Sequence, residues 1–270
     1  MSRRGNNMIQ QYIQSMTRRR LSPNTIRLRL FYITKFLEHH ADPLHVTLDE
    51  LEAYVEEYRD RSENTQQTVT ASLKSFYRWA TRAGIIKINP AADLLNVRVH
   101  YHPSRIALDP DIRSGLVHAT LEEQAMILLG AECGLRVTEI ATLTPAMREG
   151  RWLHIIGKGR VAREVHTSPE LAHILDTLEQ LPGHRYAYFV GKHGTPMHSS
   201  TVWRHIRNTV GVNPHALRHR AGTTVYRNTG NDLRATQVFL GHSKSATTEI
   251  YVHVGRDDLI RASDASRLAA

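Results

Sequence analysis

Apolar side chains recur three and four positions apart through most of the first 90 residues, which is the spacing of amphipathic helices. The pattern divides into four stretches. Ser22-Pro23 opens the second stretch with a capping side chain followed by proline, and Thr47 to Glu50 opens the third with a capping box. Asn89-Pro90 ends the pattern. The sequence therefore predicts a helical bundle over residues 1–95.

The rest of the chain mixes helical stretches with one candidate hairpin. Two apolar strands, at residues 152–156 and 161–165, flank a Gly-Lys-Gly-Arg turn. Residues 96–104 lack helical periodicity and are predicted to form a linker. The predicted fold is mainly α with a small antiparallel sheet. An N-terminal helical bundle is followed by an α+β domain over residues 105–270, which ends in a tail at residues 255–270.

The charge of the chain is strongly basic. It carries 35 Lys and Arg residues against 26 Asp and Glu residues, a formal net charge of +9. Residues 1–103 hold 15 basic and 10 acidic side chains, and residues 104–270 hold 20 and 16, so both parts are basic. Two basic lobes suit a protein that holds a polyanion between them, although a need for solubility produces the same excess.

Cysteine usage and hydropathy limit where the protein works. Cys133 is the only cysteine, which excludes an internal disulfide and is typical of a reducing cytoplasm. The sequence has no run of about 18 apolar residues, and its polar N-terminus does not resemble a signal peptide. We therefore expect an intracellular protein with no membrane partner.

Two polar clusters in the helical bundle are candidates for contacts with nucleic acid. Arg18-Arg19-Arg20 lies at a turn between predicted helices and could neutralise phosphates, but a solvated basic turn has the same composition. Asn64, Thr65 and Gln67 open the fourth helix and could reach base edges in a groove. An ordinary polar helix face explains them equally well.

In the second part of the chain, Arg136 follows a helix-ending glycine and precedes the next helix. A guanidinium fixed there can bind a phosphate through two hydrogen bonds, and the helix N-terminus adds to the attraction for an anion. Glu139 is three residues away and could steady the arginine, although a surface Arg–Glu pair contributes little. Lys158 at the hairpin tip is either a mobile proton donor or a solvated turn lysine.

Three further segments carry reactive residue types. His215 and Arg218 are three positions apart and so share one helix face. Gly241 can end a helix that starts near residue 232, and His242 follows it directly. Tyr251 comes nine residues after His242, on a predicted short helix. A buried tyrosine in a small C-terminal helix is the alternative interpretation of that residue.

Taken together and in order, these residues resemble the tyrosine recombinase (phage integrase) family. The resemblance covers most of the chain, with a core-binding helical lobe followed by a catalytic lobe. The gap of 24 residues between Arg218 and His242, and of nine residues from there to Tyr251, matches the family's pattern. Arg160 lies two residues from Lys158 on the same turn and is an alternative to it. The resemblance implies this catalytic set: Arg136, Lys158, His215, Arg218, His242 and Tyr251, supported by Glu139.

The resemblance also implies a mechanism. Tyr251 would attack a phosphodiester in line, giving a 3′-phosphotyrosyl DNA and a free 5′-hydroxyl. Lys158 would protonate the leaving oxygen. The ester conserves the energy of the broken bond, so neither a cofactor nor a metal ion is required. The remaining residues would stabilise charge on the reacting phosphate: Arg136, Arg218, His215 and His242.

The implied biological role is site-specific recombination on double-stranded DNA, by a homotetramer in the bacterial cytoplasm, at the nucleoid. The first predicted helix starts by about residue 7, which leaves no room for a separate arm-site domain. The chain therefore resembles either a minimal phage integrase, which integrates a viral genome, or a Xer-like chromosome or plasmid dimer resolvase. We expect the integrase, because Xer members match their own sequence pattern more closely than this chain does. The tail at residues 255–270 is expected to contact a neighbouring subunit.

Other functional classes remain possible from the residues alone. His215 and His219 are four apart on a helix, as zinc ligands can be, but no HExxH pattern or cysteine cluster accompanies them. A non-catalytic DNA-binding regulator would lack some of the reactive residues, and here all are present. A type IB topoisomerase would use the same chemistry without recombining DNA, and the small helical N-terminal lobe favours the recombinase.

Overall fold

The chain folds into two compact units, Met1–His102 and Pro103–Ala270. The first is called unit 1 and the second unit 2. The computed structural model describes residues 3–40, 42–100, 106–157, 162–191 and 194–241, with the side chains described from residue 7 onward.

Unit 1 is the helical bundle that the apolar pattern predicts. The Ser22 hydroxyl accepts the N–H of Thr25 at 3.2 Å, and Thr47 forms a reciprocal capping box with Glu50, so both predicted helix starts are confirmed. The helices in the described part of this unit are α1 (Arg3–Arg18), α2 (Pro23–His39), α3 (Leu48–Glu56) and α4 (Glu63–Arg82).

Aromatic side chains form much of the core of unit 1. Tyr12 on α1 meets Phe76 on α4 edge to face, with ring centroids 5.3 Å apart, and Phe36 on α2 meets Tyr54 on α3 at 4.9 Å. All four rings are almost fully buried. Each helix of the bundle is thus joined to another by an aromatic pair, a geometry that stabilises beyond the area it buries.

In unit 2 the sheet lies in the middle of the sequence, with helices before it and after it. Its elements are α5 (Asp109–His118), α6 (Leu121–Ala131), α7 (Val137–Ala141), β1 (Arg148–Glu149), β2 (Trp152–Ile156), β3 (Ala162–His166), α8 (Pro169–Gln180), α9 (Ser199–Val210), α10 (Pro214–Asn228) and α11 (Leu233–Leu240), with a 3₁₀ turn at Pro145–Met147. The sequence pattern did not predict β1 or α8.

The sheet is antiparallel in the order β1-β2-β3. Across β2 and β3, Leu153 faces Val165 and Ile155 faces Arg163, and all four side chains are buried. The predicted hairpin is therefore confirmed, and its alternation places one arginine among the apolar residues of the inner face. The predicted fold class, mainly α with a small antiparallel sheet, is likewise confirmed.

Helix α6 forms the centre of unit 2 and packs against α5, α8, α9 and α10. It is buried continuously from Ala125 to Ala131. Gly130 permits the close approach of α10, because a Cβ at this position would lie 3.2 Å from Leu217 Cδ1. Because neighbouring helices surround this part of α6, it is apolar on every side from Ala125 onward.

Asp109 and Trp203 of unit 2 take part in contacts that their positions in the sequence do not show. Asp109 does not cap α5, since the N-cap is Leu108. Its carboxylate instead accepts two hydrogen bonds from Arg220 on α10, at 2.8 Å from Nε and 3.1 Å from Nη2. Trp203 on α9 is 39% exposed, because it lines a cavity. No helix in the described residues is long and apolar enough to cross a membrane.

Two phenylalanines on α2 provide a matched test of the unit 1 core. Phe36 is fully buried and Phe31 is 60% exposed. Phe36→Ala should lower the free energy of unfolding of this unit by about 3–5 kcal/mol, because it removes the ring and leaves a cavity. Phe31→Ala should change it by less than about 0.5 kcal/mol. Urea unfolding followed by circular dichroism measures both, and equal effects would contradict the core described above.

Candidate active site

A cavity of about 300 Å³ in unit 2 brings together three of the predicted catalytic residues. Arg136 precedes α7, and His215 and Arg218 lie on α10, yet all three side chains line the same space. Trp203 of α9 and Pro214 at the start of α10 form apolar parts of its wall. Residues 82 positions apart in sequence are thus neighbours around one cationic cavity.

Arg136 is held by the carboxylate of Glu139. The backbone N–H of Arg136 donates to Glu139 Oε2 at 2.9 Å, and its Nη1 donates to Oε1 at 2.8 Å. The arginine side chain remains 30% exposed while that of the glutamate is buried. Since α7 has only five residues, its dipole adds little, and the attraction for an anion comes from the guanidinium itself.

A second arginine, Arg163 of β3, binds the same carboxylate. Its Nη2 donates to Glu139 Oε2 at 2.7 Å and its Nη1 to Oε1 at 3.2 Å, with both side chains buried. Burial alone raises the pKa of Glu139, but hydrogen bonds from Arg163 and from the Arg136 backbone outweigh it and lower the pKa to about 2. The carboxylate is therefore ionised at any physiological pH.

Sequence reasoning missed Arg163. One signal was available: Arg163 is two positions before Val165, so the strand alternation places both on the buried face of the hairpin. A charged residue on an inner face requires a partner of opposite charge. The identity of that partner depends on tertiary structure, because Glu139 is 24 residues away.

Arg218 is 1% exposed and joins three segments. Its Nη1 donates to the carbonyl of Gly134, two residues before Arg136, and its Nη2 donates to the carbonyl of Leu240 at 2.7 Å. Leu240 ends α11, and Gly241 caps that helix in the left-handed conformation, with φ of 63°. The guanidinium thus fixes α10 to the turn before Arg136 and to the end of α11.

His215 lies in the first turn of α10, where its backbone N–H donates to the Asn213 side chain at 2.9 Å. The imidazole keeps contact with solvent, yet burial against the cavity wall lowers its pKa below 6.5, and the charges of Arg218 and Arg136 lower it further. The ring also meets that of His219 edge to face at 4.6 Å. No group of three or more potential metal ligands occurs in the described part of the chain.

Four predictions fall on residues outside those that the structure describes. They concern Lys158 and its alternative Arg160, His242, Tyr251 and the tail at residues 255–270. Residues that the structure describes lie next to two of these positions in the sequence. β2 ends at Ile156, two residues before Lys158, and Gly241 directly precedes His242.

Unit 1 contains a separate basic pocket of about 250 Å³. Its cationic lining is Arg19, Arg29, Lys74 and Arg78, and of the described residues that line it none is acidic. Arg29 Nη1 donates to Ser75 Oγ at 2.9 Å, and this buried serine also accepts from the Tyr12 hydroxyl at 3.0 Å. An uncompensated group of four cations is suited to phosphate oxygens.

Only one of the predicted nucleic-acid contacts lines this basic pocket, namely Arg19. Arg18 ends α1 and Arg20 lies on the following turn, and both are exposed, whereas Asn64 lies at the start of α4. The Thr65 hydroxyl is 2.9 Å from the capping hydroxyl of Ser62, and Gln67 is half-buried. The structure does not bring these other five residues into the pocket: Arg18, Arg20, Asn64, Thr65 and Gln67.

Three of the pocket's cations were missed in the sequence. Lys74 and Arg78 are four positions apart on α4, a spacing that places two basic side chains on one helix face and that could have been noticed. Arg29 gave no such signal, because its partner Ser75 is 46 residues away. Arg163 and Arg29, one in each unit, are thus positioned by contacts distant in sequence.

Comparison with protein families gives two matches along the chain. The model described as the phage integrase family matches residues 112–257, and the one described as phage integrase, N-terminal SAM-like domain, matches residues 8–85. The chain is also 35% identical over 217 residues to tyrosine recombinase XerC of Shewanella amazonensis, covering 73% of this chain and 73% of that protein.

Solved structures of lambda integrase share the fold. One, a dimer bound to a COC′ core site, gives a TM-score of 0.75 at 17% identity, covering 98% of this chain and 79% of that one. Another, a tetramer bound to a Holliday junction, gives 0.72 at 18% identity, covering 89% of this chain and 77% of that one. At these identities the likeness concerns the fold alone.

The environment of His215 predicts its titration. Its pKa should be below 6.5, and Arg136→Met should raise it, because that change removes one of the two neighbouring charges. Since the folded protein favours the neutral imidazole, His215 should contribute stability that is fully present above pH 6.5 and is lost as the pH falls through the lower pKa of the folded protein.

Histidine NMR titration measures this pKa, with the signal assigned from a His215→Gln variant. Arg204→Met, which removes an exposed arginine from α9, is the control and should leave the midpoint unchanged. A midpoint above 6.5 in the unaltered protein would contradict the described geometry.

Proposed function

We propose a catalytic assignment for this chain, which belongs to the phage integrase family of tyrosine recombinases. It is an enzyme that breaks and rejoins DNA at specific sites. In our assignment the nucleophile is Tyr251, and the reacting phosphate lies in the cavity of unit 2. The observation that supports this most directly is the convergence of Arg136, His215 and Arg218 on that cavity.

The two arginines would act on the non-bridging oxygens of the scissile phosphate. Arg136 is partly exposed and oriented by a carboxylate, and Arg218 is held by two carbonyls. Both guanidinia are therefore fixed before DNA binds, so little reorganisation is needed as negative charge develops. His215 and His242 would add hydrogen bonds to the same oxygens.

The phenol of Tyr251 needs this cationic environment. A tyrosine has an ordinary pKa of about 10, so its phenolate is scarce at neutral pH. Nearby guanidinia favour the phenolate and the charged transition state together. Attack would give a 3′-phosphotyrosyl ester and release a 5′-hydroxyl, and rejoining would reverse the step with another strand's hydroxyl.

Lys158 would supply the proton to the leaving 5′-oxygen. In the sequence it lies between β2 and β3, and β3 is fixed to the site because Arg163 binds Glu139. General acid catalysis of this kind contributes about 10²–10⁴-fold.

For the chain as a whole we assign residues 1–95 to core-site DNA binding, residues 96–104 to a linker and residues 105–270 to catalysis with a C-terminal tail. The basic pocket of unit 1 would bind phosphates of double-stranded DNA. Assembly as a homotetramer is supported by the fold shared with the tetrameric lambda integrase structure. In our assignment the tail at residues 255–270 contacts a neighbouring subunit. The expected location is the bacterial cytoplasm, at the nucleoid.

Two roles within the family are candidates. The minimal phage integrase, which would integrate a viral genome, remains the prediction from the sequence. The 35% identity to a XerC protein favours a Xer-like resolvase of chromosome or plasmid dimers as the second candidate. A plasmid with two direct repeats of a bound site tests resolution, and separate phage and bacterial attachment sites test integration.

Tyr251→Phe should abolish covalent attachment to DNA while leaving DNA affinity within about twofold, because it removes one hydroxyl and no charge. The assay uses core-site DNA with a nick opposite the cut, which traps the covalent product, followed by denaturing electrophoresis. Wild-type protein is the positive control. Adducts formed by the variant would show that another residue is the nucleophile.

The basic pocket predicts a change in salt dependence. Lys74→Gln with Arg78→Gln should weaken DNA binding and lower the slope of log affinity against log salt by about 0.9 for each phosphate that is no longer neutralised. Lys87→Gln, which removes an exposed lysine of unit 1 outside the pocket, should keep the wild-type slope. Fluorescence anisotropy over a range of salt concentrations measures both, and identical slopes would exclude the pocket from DNA binding.

A further inference from the structure

We infer that Arg163 is a positioning residue for DNA cleavage, which orients Arg136 through the carboxylate they share and keeps that carboxylate from repelling the scissile phosphate. This inference rests on the proposed function. Arg163 is not placed to touch DNA, because its side chain is buried on the inner face of the hairpin. Its effect on the reaction would pass through Glu139.

The position of Arg163 is costly for folding. It occupies the inner face of β3 opposite Ile155, where a charge loses its hydration. Only its terminal nitrogens bind Glu139, and its buried Nε has no hydrogen-bond partner among the described residues. Buried ion pairs are often no more stabilising than apolar residues of similar volume. A stabilising role alone is therefore a weak reason for an arginine here.

The charges of the group give a stronger reason. Glu139 fixes Arg136, but a lone carboxylate so close to a phosphate site would cancel the charge of that arginine and repel the anion. Arg163 supplies a second positive charge on the same carboxylate. The charges of the three side chains then sum to +1, so Arg136 is fixed in place and the group still attracts a phosphate.

Arg163 also contacts the turn that leads to His242. A Cβ on Gly241 would lie 2.9 Å from Arg163 Cδ and 3.0 Å from its Nη1, so the glycine backbone lies directly against the arginine side chain. One side chain therefore adjoins both the carboxylate that holds Arg136 and the backbone next to His242. A change at Arg163 would disturb two parts of the proposed site together.

The first test is a set of four variants. Three are single changes, Arg163→Met, Arg163→Lys and Glu139→Gln, and the fourth combines Arg163→Met with Glu139→Gln. Single-turnover cleavage of nicked core-site DNA is measured at saturating protein, and affinity is measured separately. Arg163→Met should slow cleavage by at least about tenfold, the scale of a misplaced catalytic group, while affinity stays within about twofold. Arg163→Lys keeps the charge and removes the paired hydrogen bonds, so its rate should be intermediate.

The double variant distinguishes positioning from structural support. If the unbalanced carboxylate of Glu139 causes the defect, removing its charge should make Arg163→Met with Glu139→Gln cleave faster than Arg163→Met alone. A purely structural role predicts a double variant that is as slow or slower, which would overturn the inference. If Arg163→Met does not fold, the uncharged Arg163→Gln carries the comparison, alone and combined with Glu139→Gln.

A second measurement replaces the scissile phosphate by an uncharged methylphosphonate. A methylphosphonate carries no negative charge for Glu139 to repel. The ratio of the wild-type cleavage rate to the Arg163→Met cleavage rate should therefore be smaller than on ordinary DNA. An unchanged ratio would count against the electrostatic effect. If wild-type protein forms no covalent adduct with DNA, the proposed function fails, whereas equal cleavage by wild type and Arg163→Met overturns only the inference about Arg163.

Discussion

The buried guanidinium of Arg218 is the interaction on which the arrangement of unit 2 depends. It joins α10 to a carbonyl 84 residues earlier and to another 22 residues later. A charge with 1% exposure is tolerated only where fixed acceptors replace water, and here backbone carbonyls do so. The same bonds fold the unit and assemble the cavity. Replacing Arg218 would disturb both, so the partly exposed Arg136 is a cleaner probe of chemistry.

The two units hold their arginines in different ways, in keeping with the different tasks proposed for them. In unit 1, Arg29 is held by a neutral serine, and the basic pocket has no acidic side chain among its described lining residues. Such cations suit a backbone of repeated phosphates, where attraction matters more than exact geometry. In unit 2, Arg136 is fixed by an ionised carboxylate. The carboxylate weakens the attraction of Arg136 for a phosphate but fixes the orientation of its guanidinium, which a single reacting phosphate requires.

How much of the structure the sequence predicted depends on how far apart in the chain the interacting residues lie. Helix starts such as Thr47 with Glu50, and the pairing of Arg136 with Glu139, involve residues three apart, so their spacing carries the information. Arg163 and Arg29 were missed because their partners are 24 and 46 residues away. Helix α8 was missed although Ser168 caps it and Pro169 begins it, a local signal that was available.

Two glycines of the sequence motifs have a structural reason that is independent of the chemistry. Gly134 has φ of 62°, and a Cβ there would lie 2.9 Å from Leu240 Cδ2. Gly241 has φ of 63° and would place a Cβ equally close to Arg163. Both positions disfavour a side chain by conformation and by contact. The glycines let the turn before Arg136 and the end of α11 approach closely enough for Arg218 to bind both. The spacing of these motifs around the proposed catalytic residues therefore reflects packing as much as reactivity.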